Sequence, residues 1–323
     1  MGVNALTALI AAYASDGQVK RALALFKEAM RERKCKPDAA MINAVAKLYR
    51  QQGLSAIHLL DIAYGALTSY AYSTILMTCT ELSEVKKAHE HLLRGKHLSS
   101  SIDDVLGAAL VTSYANKPGG FAQAKATFEE LLSKDNNNLG VSTWNAMMAA
   151  CCAQQPQAYT DHALRLFDDM LHRYKVKPDA ISLTIAATAA RNHHEWSAMR
   201  ILQIADKGGV TPSPQLYSLL LAMCSDRRRA TEGKLVHAHI LNNNNHHHHN
   251  TNNTNDNNKN SGNTGNDYNN TAPVEIDDIL ACGLITMYAK CACQTEAIAV
   301  FNETRKRRLK DGSRVLGVAS WND

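Results

Sequence analysis

The chain has 323 residues, of which 45% are hydrophobic and 20% are charged, with 17 glycines and 7 prolines. This composition excludes a collagen-like or wholly disordered chain and allows a large buried core. The formal net charge of +5 permits a polyanionic partner without implying one. Because 46 residues are alanine and only 19 are aromatic, the sequence favours close-packed helices over sheets.

The cysteines and the apolar runs exclude several other classes of protein. The eight cysteines lie mostly in apolar runs, without disulfide-type spacing or a C-x-x-C motif. We interpret them as small buried side chains in a reducing compartment. Nothing approaches the roughly 20 apolar residues of a membrane span. We therefore expect no membrane association, and no motif indicates a cofactor, a metal or a small-molecule substrate.

A two-helix unit recurs along the chain. Residues 6–30, LTALIAAYASDGQVKRALALFKEAM, lead to KCKPD at 34–38, and residues 144–170, WNAMMAACCAQQPQAYTDHALRLFDDM, lead to KVKPD at 175–179. Apolar residues recur at spacings of three and four within each segment, which is typical of amphipathic helices. Gly17 lies in the break between the two helices, where the chain needs a positive φ, and Pro37 and Pro178 end the copies.

The copies form an array over residues 3–323, with a partial copy from Val318. Their predicted starts are Val3, Ala39, Ser69, Asp104, Val141, Ala180, Pro214 and Asp278. A tract at 242–270, with 15 asparagines and four histidines, interrupts the seventh copy, and we expect it to be a disordered insertion. A unit of about 35 residues cannot bury its apolar face alone, so the pattern predicts an all-α, right-handed α-solenoid whose first helices line a concave face.

Several segments resemble the pentatricopeptide repeat family. They are Trp144-Asn145-Ala146-Met147-Met148, Ser320-Trp321-Asn322-Asp323, the Lys-Pro-Asp endings at 36–38 and 177–179, and residues 284–291, LITMYAKC. Residues 76–93 and 216–241 resemble the long repeat variant of the plant-type subclass, and residues 278–301 resemble its short variant. The resemblance covers the whole chain except the insertion.

The resemblance implies sequence-specific binding of single-stranded RNA, with one base per repeat read by the fifth and last residues. The implied pairs are Thr7 with Asp38 (guanine), Asn43 with Thr68 (a pyrimidine), Ser73 with Asp103, Asn145 with Asp179 (uracil), Thr184 with Ser213, and Ser218 with Asp277. The fourth and eighth repeats offer Ala108 with Gly140 and Cys282 with Gly317, which lack the polar groups for readout.

The family pattern also implies residues that stack on bases and one that contacts phosphate. Branched apolar residues at the second position of each repeat sandwich the bases, and Val105, Ile181 and Ile279 match this pattern, whereas Asn4, Tyr70, Ser142 and Gln215 depart from it. Lys290 matches a lysine that approaches phosphate, but Glu81 and Asp226 occupy equivalent positions and repel a backbone. These departures predict a modest affinity.

The sequence indicates a binding protein and not an enzyme. His193-His194-Glu195 matches half of a cytidine deaminase signature, but the C-x-x-C half does not occur. The mixed repeat variants favour cytidine-to-uridine editing of transcripts in a mitochondrion or chloroplast, with other RNA-processing proteins as further partners. We expect a partial chain, with a targeting presequence and any effector domain outside it. The alternative is a tetratricopeptide-like scaffold that binds protein, although its W-x2-L-G-x2-Y opening is not found in phase.

Overall fold

The computed structural model describes residues 3–31, 36–63, 67–94, 102–134, 139–154, 158–191, 193, 195–251 and 276–310. Within these ranges the chain is helical and contains no strand. The helices are α1 (Val3–Ser15), α2 (Val19–Arg31), α3 (Ala39–Gln51), α4 (Leu59–Ile62), α5 (Ser69–Thr78), α6 (Leu82–Arg94), α7 (Asp104–Ala115), α8 (Phe121–Lys134), α9 (Val141–Cys152), α10 (Ala158–Asp168, continued as a π-helix over Asp169–Arg173), α11 (Ala180–Ala190), α12 (Ala198–Gly208), α13 (Pro214–Asp226), α14 (Ala230–Thr251), α15 (Asp278–Lys290) and α16 (Gln294–Lys310).

The odd-numbered helices are the first helices of the repeats, and each begins at a residue where the sequence places the start of a copy. Short polar side chains explain most of these starts, because an N-cap oxygen accepts one of the orphan backbone N–H groups of the first turn. The N-cap side chains that do so, each accepting from the residue three positions later, are Asp38, Thr68, Asp103, Asp179, Ser213 and Asp277.

A left-handed residue turns the chain from the first to the second helix in several repeats. Gly17 and Gly53 have φ values of 72° and 64°, as the sequence predicts for Gly17. Arg228 and Ala292 occupy the corresponding turns with φ values of 53° and 58°. A side chain at positive φ costs roughly 1–2 kcal/mol, so these two turns are strained where glycine is not.

The chain forms two compact units, residues 1–177 and 178–323. In the first unit, each first helix packs on the next in the order α1, α3, α5, α7 and α9, and α2, α8 and α10 pack on their own first helices. In the second unit, α11, α13 and α15 pack in the same way and carry α12, α14 and α16. The predicted all-α, helical-repeat solenoid class is confirmed for the arrangement inside each unit.

The second helices depart from a uniform repeat in two places. In the second repeat the helix after α3 is reduced to the four residues Leu59–Ile62. In the seventh repeat α14 continues to Thr251, so residues 242–251 are helical although the sequence predicts that the insertion is disordered from 242. Once a helix is nucleated, each further residue adds a hydrogen bond at small cost, which explains the extension. The rest of the tract, 252–270, lies outside the described residues.

No helix in the described part of the chain is both long and apolar enough to span a membrane.

Candidate nucleic-acid interface

Within each unit, the second positions of the first helices form a row of exposed side chains. All eight are exposed, namely Asn4, Ala40, Tyr70, Val105, Ser142, Ile181, Gln215 and Ile279. The three predicted stacking residues, Val105, Ile181 and Ile279, are 59%, 60% and 71% exposed. Large apolar side chains that recur in register and face solvent mark a binding surface more often than chance exposure does.

Tyr70 belongs to this row, although its side chain departs from the family pattern of branched apolar residues. Its side chain is 58% exposed at the second position of α5, one repeat before Val105. Because an aromatic face stacks on any base, a tyrosine serves there as well as a branched aliphatic residue. Its place at the second position of the repeat could have identified Tyr70, but only branched apolar side chains were expected at that position.

The structure brings one predicted reading pair together. The Thr68 hydroxyl lies 3.4 Å from Asn43 Oδ1, and Thr68 is exposed while Asn43 is half-buried. Thr68 Oγ1 also accepts the Ala71 N–H as the N-cap of α5. The cap therefore holds the Thr68 hydroxyl in place. This hydroxyl in turn orients the amide group of the half-buried Asn43 side chain.

Several of the other predicted readers are buried or half-buried. Asn145 and Ser73 are buried, at 6% and 5% exposure, and the Ser73 hydroxyl donates to the Ser69 carbonyl. The Ser218 hydroxyl oxygen is buried without a hydrogen-bond partner. Thr7 and Thr184 are half-buried, and their hydroxyls donate to the carbonyls of Val3 and Ala180. Asn145 and Ser73 are thus covered by the surrounding residues, and their part in base readout stays a prediction.

The last residues of the repeats lie where the sequence places them, at the start of the next first helix. Asp38, Asp103 and Asp277 each use one carboxylate oxygen to accept a backbone N–H, at 2.7, 2.8 and 2.8 Å. Ser213 accepts the Leu216 N–H, and Asp179 forms a capping box with Ser182. These groups are therefore held rigidly by the caps. Gly317 lies outside the described residues.

A residue of the preceding repeat supplies the missing cap at Gly140. The carboxylate of Asp104, the first residue of α7, accepts the backbone N–H groups of Ser142 and Thr143, each at 2.9 Å. Burial opposes ionisation of Asp104, but the hydrogen bonds outweigh it and lower its pKa. A Cβ at residue 140 would lie 2.3 Å from Asp104 Cγ, so only glycine fits there. Gly140 therefore serves the junction between two repeats and not base readout.

The predicted phosphate contact, Lys290, already has an anionic partner. Its Nζ lies 3.5 Å from Asp226 Oδ1, and Asp226 Oδ2 lies 2.8 Å from Arg191. Asp226 was expected to repel a phosphate backbone, and the structure shows that it also bridges the two cations. The neighbouring Arg227 lies inward, where its guanidinium donates to the carbonyls of Ala190, Arg191, His193 and Trp196.

In the described ranges, no group of three or more His, Cys, Asp or Glu side chains is placed to hold a metal ion. Burial raises the pKa of Cys79, Cys151 and Cys224 to about 12, so these thiols are not nucleophiles at neutral pH.

Comparisons with known proteins support the interpretation of the repeats. Residues 1–51 match the sequence model of the pentatricopeptide repeat domain. Over 325 aligned residues the chain is 21% identical to a pentatricopeptide repeat-containing protein of Arabidopsis thaliana, covering 95% of this chain and 38% of the relative. The resemblance to the pentatricopeptide repeat family is confirmed. A second Arabidopsis pentatricopeptide repeat relative, whose name describes it as mitochondrial, is 25% identical over 238 residues, covering 70% of this chain and 35% of its own length.

The fold of the pentatricopeptide repeats is also found in solved structures. The crystal structure of the pentatricopeptide repeat protein PPR10 from maize matches with a TM-score of 0.54 at 19% identity, covering 95% of this chain and 45% of that one. PPR10 in complex with an 18-nt psaJ RNA element matches with a TM-score of 0.52 at 16% identity, covering 93% and 38%. This chain therefore spans less than half the length of the pentatricopeptide repeat proteins to which it is similar here.

Proposed function

We propose that this chain binds single-stranded RNA along the exposed second positions of its first helices, as a repeat array and not as an enzyme. The observation that carries the proposal is that exposed apolar and aromatic side chains recur at one helical position, Tyr70 and Val105 in the first unit and Ile181 and Ile279 in the second. Such side chains stack on unpaired bases. In duplex nucleic acid the bases are already paired and stacked, so their faces are not accessible. A solved relative of the same fold, PPR10, is described in complex with RNA.

The finer parts of the proposal concern readout and process. Asn43 with Thr68 is the pair best presented for reading a base, and Thr7 with Asp38, Asn145 with Asp179, and Thr184 with Ser213 are the other candidates. We assign the process to transcript processing in a mitochondrion or chloroplast, with cytidine-to-uridine editing favoured by the long and short repeat variants. One relative's name, which includes the word mitochondrial, supports the organelle assignment.

Binding and its location are tested with paired variants. We expect Tyr70→Ala and Ile279→Ser each to weaken binding of a random single-stranded RNA pool, by roughly 5- to 150-fold for the tyrosine at about 1–3 kcal/mol per stacked base. The matched controls are Leu93→Ala and Leu235→Ser, which remove exposed apolar side chains, 43% and 54% exposed, from the second helices α6 and α14. Equal losses in variants and controls, or binding that does not weaken with salt, would contradict the proposal.

Readout is tested by selection from a randomised RNA pool, with single-stranded DNA as the control. We expect a pyrimidine preference at one position of the enriched motif, and Asn43→Ala is expected to remove it while other positions keep theirs. A scaffold that binds protein would enrich no RNA motif. Loss of every preference at once would show that Asn43 is needed for folding and not for readout.

A further inference from the structure

Two cysteines flank the turn between the helices of the eighth repeat. Cys291 follows α15, Ala292 has a φ of 58°, and Cys293 precedes α16. The Ala292 N–H donates to the Ala289 carbonyl and the Cys293 N–H to the Tyr288 carbonyl, which is typical of a helix end with a left-handed turn residue. Of the left-handed turns that the structure describes, only this one has a cysteine on both sides.

The turn brings the two cysteines to a separation that a disulfide can span. Cα atoms two residues apart in a helical backbone are about 5.4 Å from each other, and a left-handed residue gives the same distance because it is the mirror image. Disulfides join Cα atoms at about 4.4–6.8 Å. Residues two apart in an uninterrupted helix do not face each other. Here the Cys293 side chain folds back over the turn, with its Sγ 3.6 Å from the Cys291 carbonyl oxygen.

Both thiols are accessible and loosely held. Cys291 and Cys293 are half-buried, whereas Cys79, Cys151 and Cys224 are buried. The Cys291 Sγ lies 3.9 Å from the Cys224 carbonyl oxygen on α13. A thiol is a weak donor, so this contact and that of Cys293 are easily given up. Rotation about the Cα–Cβ bond of Cys291 moves its sulfur from α13 towards Cys293.

We propose that Cys291 and Cys293 form a reversible modification site, which a small disulfide such as oxidised glutathione converts to an intrachain disulfide. The Cys293 thiolate attacks the small disulfide, which forms a mixed disulfide and releases one thiol. The Cys291 sulfur loses its proton, attacks Cys293 Sγ and releases the second thiol. Two protein thiols are oxidised, and one small disulfide is reduced to two thiols. This inference goes beyond the proposed function, since it involves no RNA.

The order of the two steps follows from the surroundings of the thiols. Burial raises the pKa of Cys291, and the nearby Arg228 opposes this only in part. Cys291 also lies against α13, whereas the contact of Cys293 is within its own turn. We therefore assign the intermolecular attack to Cys293. The attack by Cys291 is intramolecular, and its high effective concentration compensates for a weakly acidic thiol.

The disulfide is expected to be a labile switch and not a structural link. Strained or exposed disulfides are more readily reduced than buried, relaxed ones. A bridge across a single residue in an accessible turn belongs to the first kind. The pair therefore stays reduced in a reducing compartment and closes when oxidised glutathione accumulates. Closure fixes the turn between α15 and α16 and removes the Cys291 sulfur from its contact with α13.

The test is mass spectrometry of the full chain after incubation with rising ratios of oxidised to reduced glutathione. Acid stops the exchange, the remaining thiols are alkylated, and the chain is digested with trypsin. Cleavage after Lys290 and Arg305 releases residues 291–305, which contain both cysteines and no other. We expect this peptide to change from the doubly alkylated form to an unalkylated form two hydrogens lighter than the dithiol. Excess reduced glutathione is expected to reverse the change.

The adjacent cysteines of α9 provide a control in the same sample. Cys151 and Cys152 lie together on the tryptic peptide 135–165. Burial raises their pKa values to about 12 and about 11, and successive residues of a helix do not face each other. We expect this peptide to stay alkylated. Equal oxidation of the two peptides would overturn the inference, because the turn would then confer no selectivity.

A transplanted pair tests whether the turn is the cause. Asp16→Cys with Gln18→Cys places two thiols around Gly17, whose φ is 72°, on the tryptic peptide 1–20, which has no cysteine of its own. We expect the same reversible loss of two hydrogens. No conversion at this turn would overturn the role assigned to the left-handed geometry.

Two further results at the native turn would overturn the inference. One is a peptide 291–305 that carries only glutathione adducts, which would show that the second step does not occur. The other is a link from this peptide to residues 208–227, which would show that Cys291 pairs with Cys224. Because the readout is a peptide mass, these results do not depend on whether the chain binds RNA.

Discussion

Two regions of the molecule repeat the same polar clamp with different apolar packing. In the first unit, α6 carries two histidines that contact a tyrosine of its own repeat and a tyrosine of the next. In the second unit, α14 does the same. The contacts are Tyr72 with His91 at 2.7 Å and His89 with Tyr114 at 3.1 Å, and then Tyr217 with His239 and His237 with Tyr288, each at 2.9 Å.

The apolar side chains beside the clamp are exchanged between the two regions. Val85 stands four residues before His89, and Gly233 stands four residues before His237. Ser113 precedes Tyr114, whereas Met287 precedes Tyr288. A Cβ at Gly233 would lie 2.3 Å from Met287 Sδ, so the methionine fills the space that a larger residue at 233 would take. The hydrogen bonds are the same in both regions. The larger apolar side chain belongs to α6 in the first region and to α15 in the second.

The second region also adds polar partners. Tyr217 Oη accepts from the Asn243 amide at 2.9 Å, and His239 Nε2 lies 3.1 Å from Asp206 Oδ1. The clamp therefore connects α12, α13 and α14 in the second unit. The comparison shows that the histidine and tyrosine positions are fixed by the helix register. The space between the helices can be filled by a side chain from either facing helix.

The largest expected effect comes from giving the first region the glycine of the second region without its methionine. Val85→Gly removes a side chain that is 0% exposed and places glycine inside α6. Without a methionine at 113 to fill the cavity, we expect the free energy of unfolding to fall by about 3 kcal/mol. Urea unfolding followed by circular dichroism measures it, and adding Ser113→Met is expected to restore part of the loss. A loss below about 1 kcal/mol would show that the site collapses without help.

The reverse change overpacks the second region. Gly233→Val is expected to lower the free energy of unfolding by about 1–3 kcal/mol, since the methionine must move and the helices are close-packed. Gly233→Val with Met287→Ser recreates the combination found in the first unit and is expected to recover much of the stability in the same urea measurement. If the double variant is no better than the single one, the two positions do not share a common volume.

Removing one hydroxyl from each clamp sharpens the polar side of the comparison. Tyr217→Phe leaves His239 and Asn243 without their common partner, and we expect a loss of about 1–2 kcal/mol. Tyr72→Phe removes the contact to His91, with an expected loss of about 0.5–1 kcal/mol. Thermal unfolding of the two variants side by side gives the order, and a larger loss for Tyr72→Phe would mean that the added partners of Tyr217 do not strengthen the clamp.

The smallest expected effect is a pH dependence that His237 contributes in the second region. Burial lowers the pKa of His237 below its ordinary value of 6.5, so the unfolded chain binds this proton more readily than the folded one. The contribution is present above about pH 6.5 and is lost as the pH falls towards the folded value. His237→Gln is expected to reduce the fall in stability between pH 7 and 5. A pH profile identical to that of the unsubstituted chain would rule out this role.

The sequence alone predicted the helical class and the residues at which the first helices begin, because both depend on local rules. Capping residues such as Asp38, Asp103 and Asp277 act on their own first turn, and the apolar period places the buried face. The family resemblance, and not the periodicity, singled out Val105, Ile181 and Ile279, and all three are exposed. Tyr70 was missed because a family pattern of side-chain types was applied where the shared position carried the information.

Only the tertiary structure decided what each exposed or buried polar group contacts. The burial of Asn145 and Ser73, the cap that Asp104 provides for α9, and the bridge from Asp226 to Arg191 and Lys290 all depend on residues that are distant in sequence. Periodicity states which face of a helix is turned towards its neighbours, but it does not state which side chain of the next repeat lies there. That is set by how closely the helices pack and by which facing residue supplies the volume or the charge.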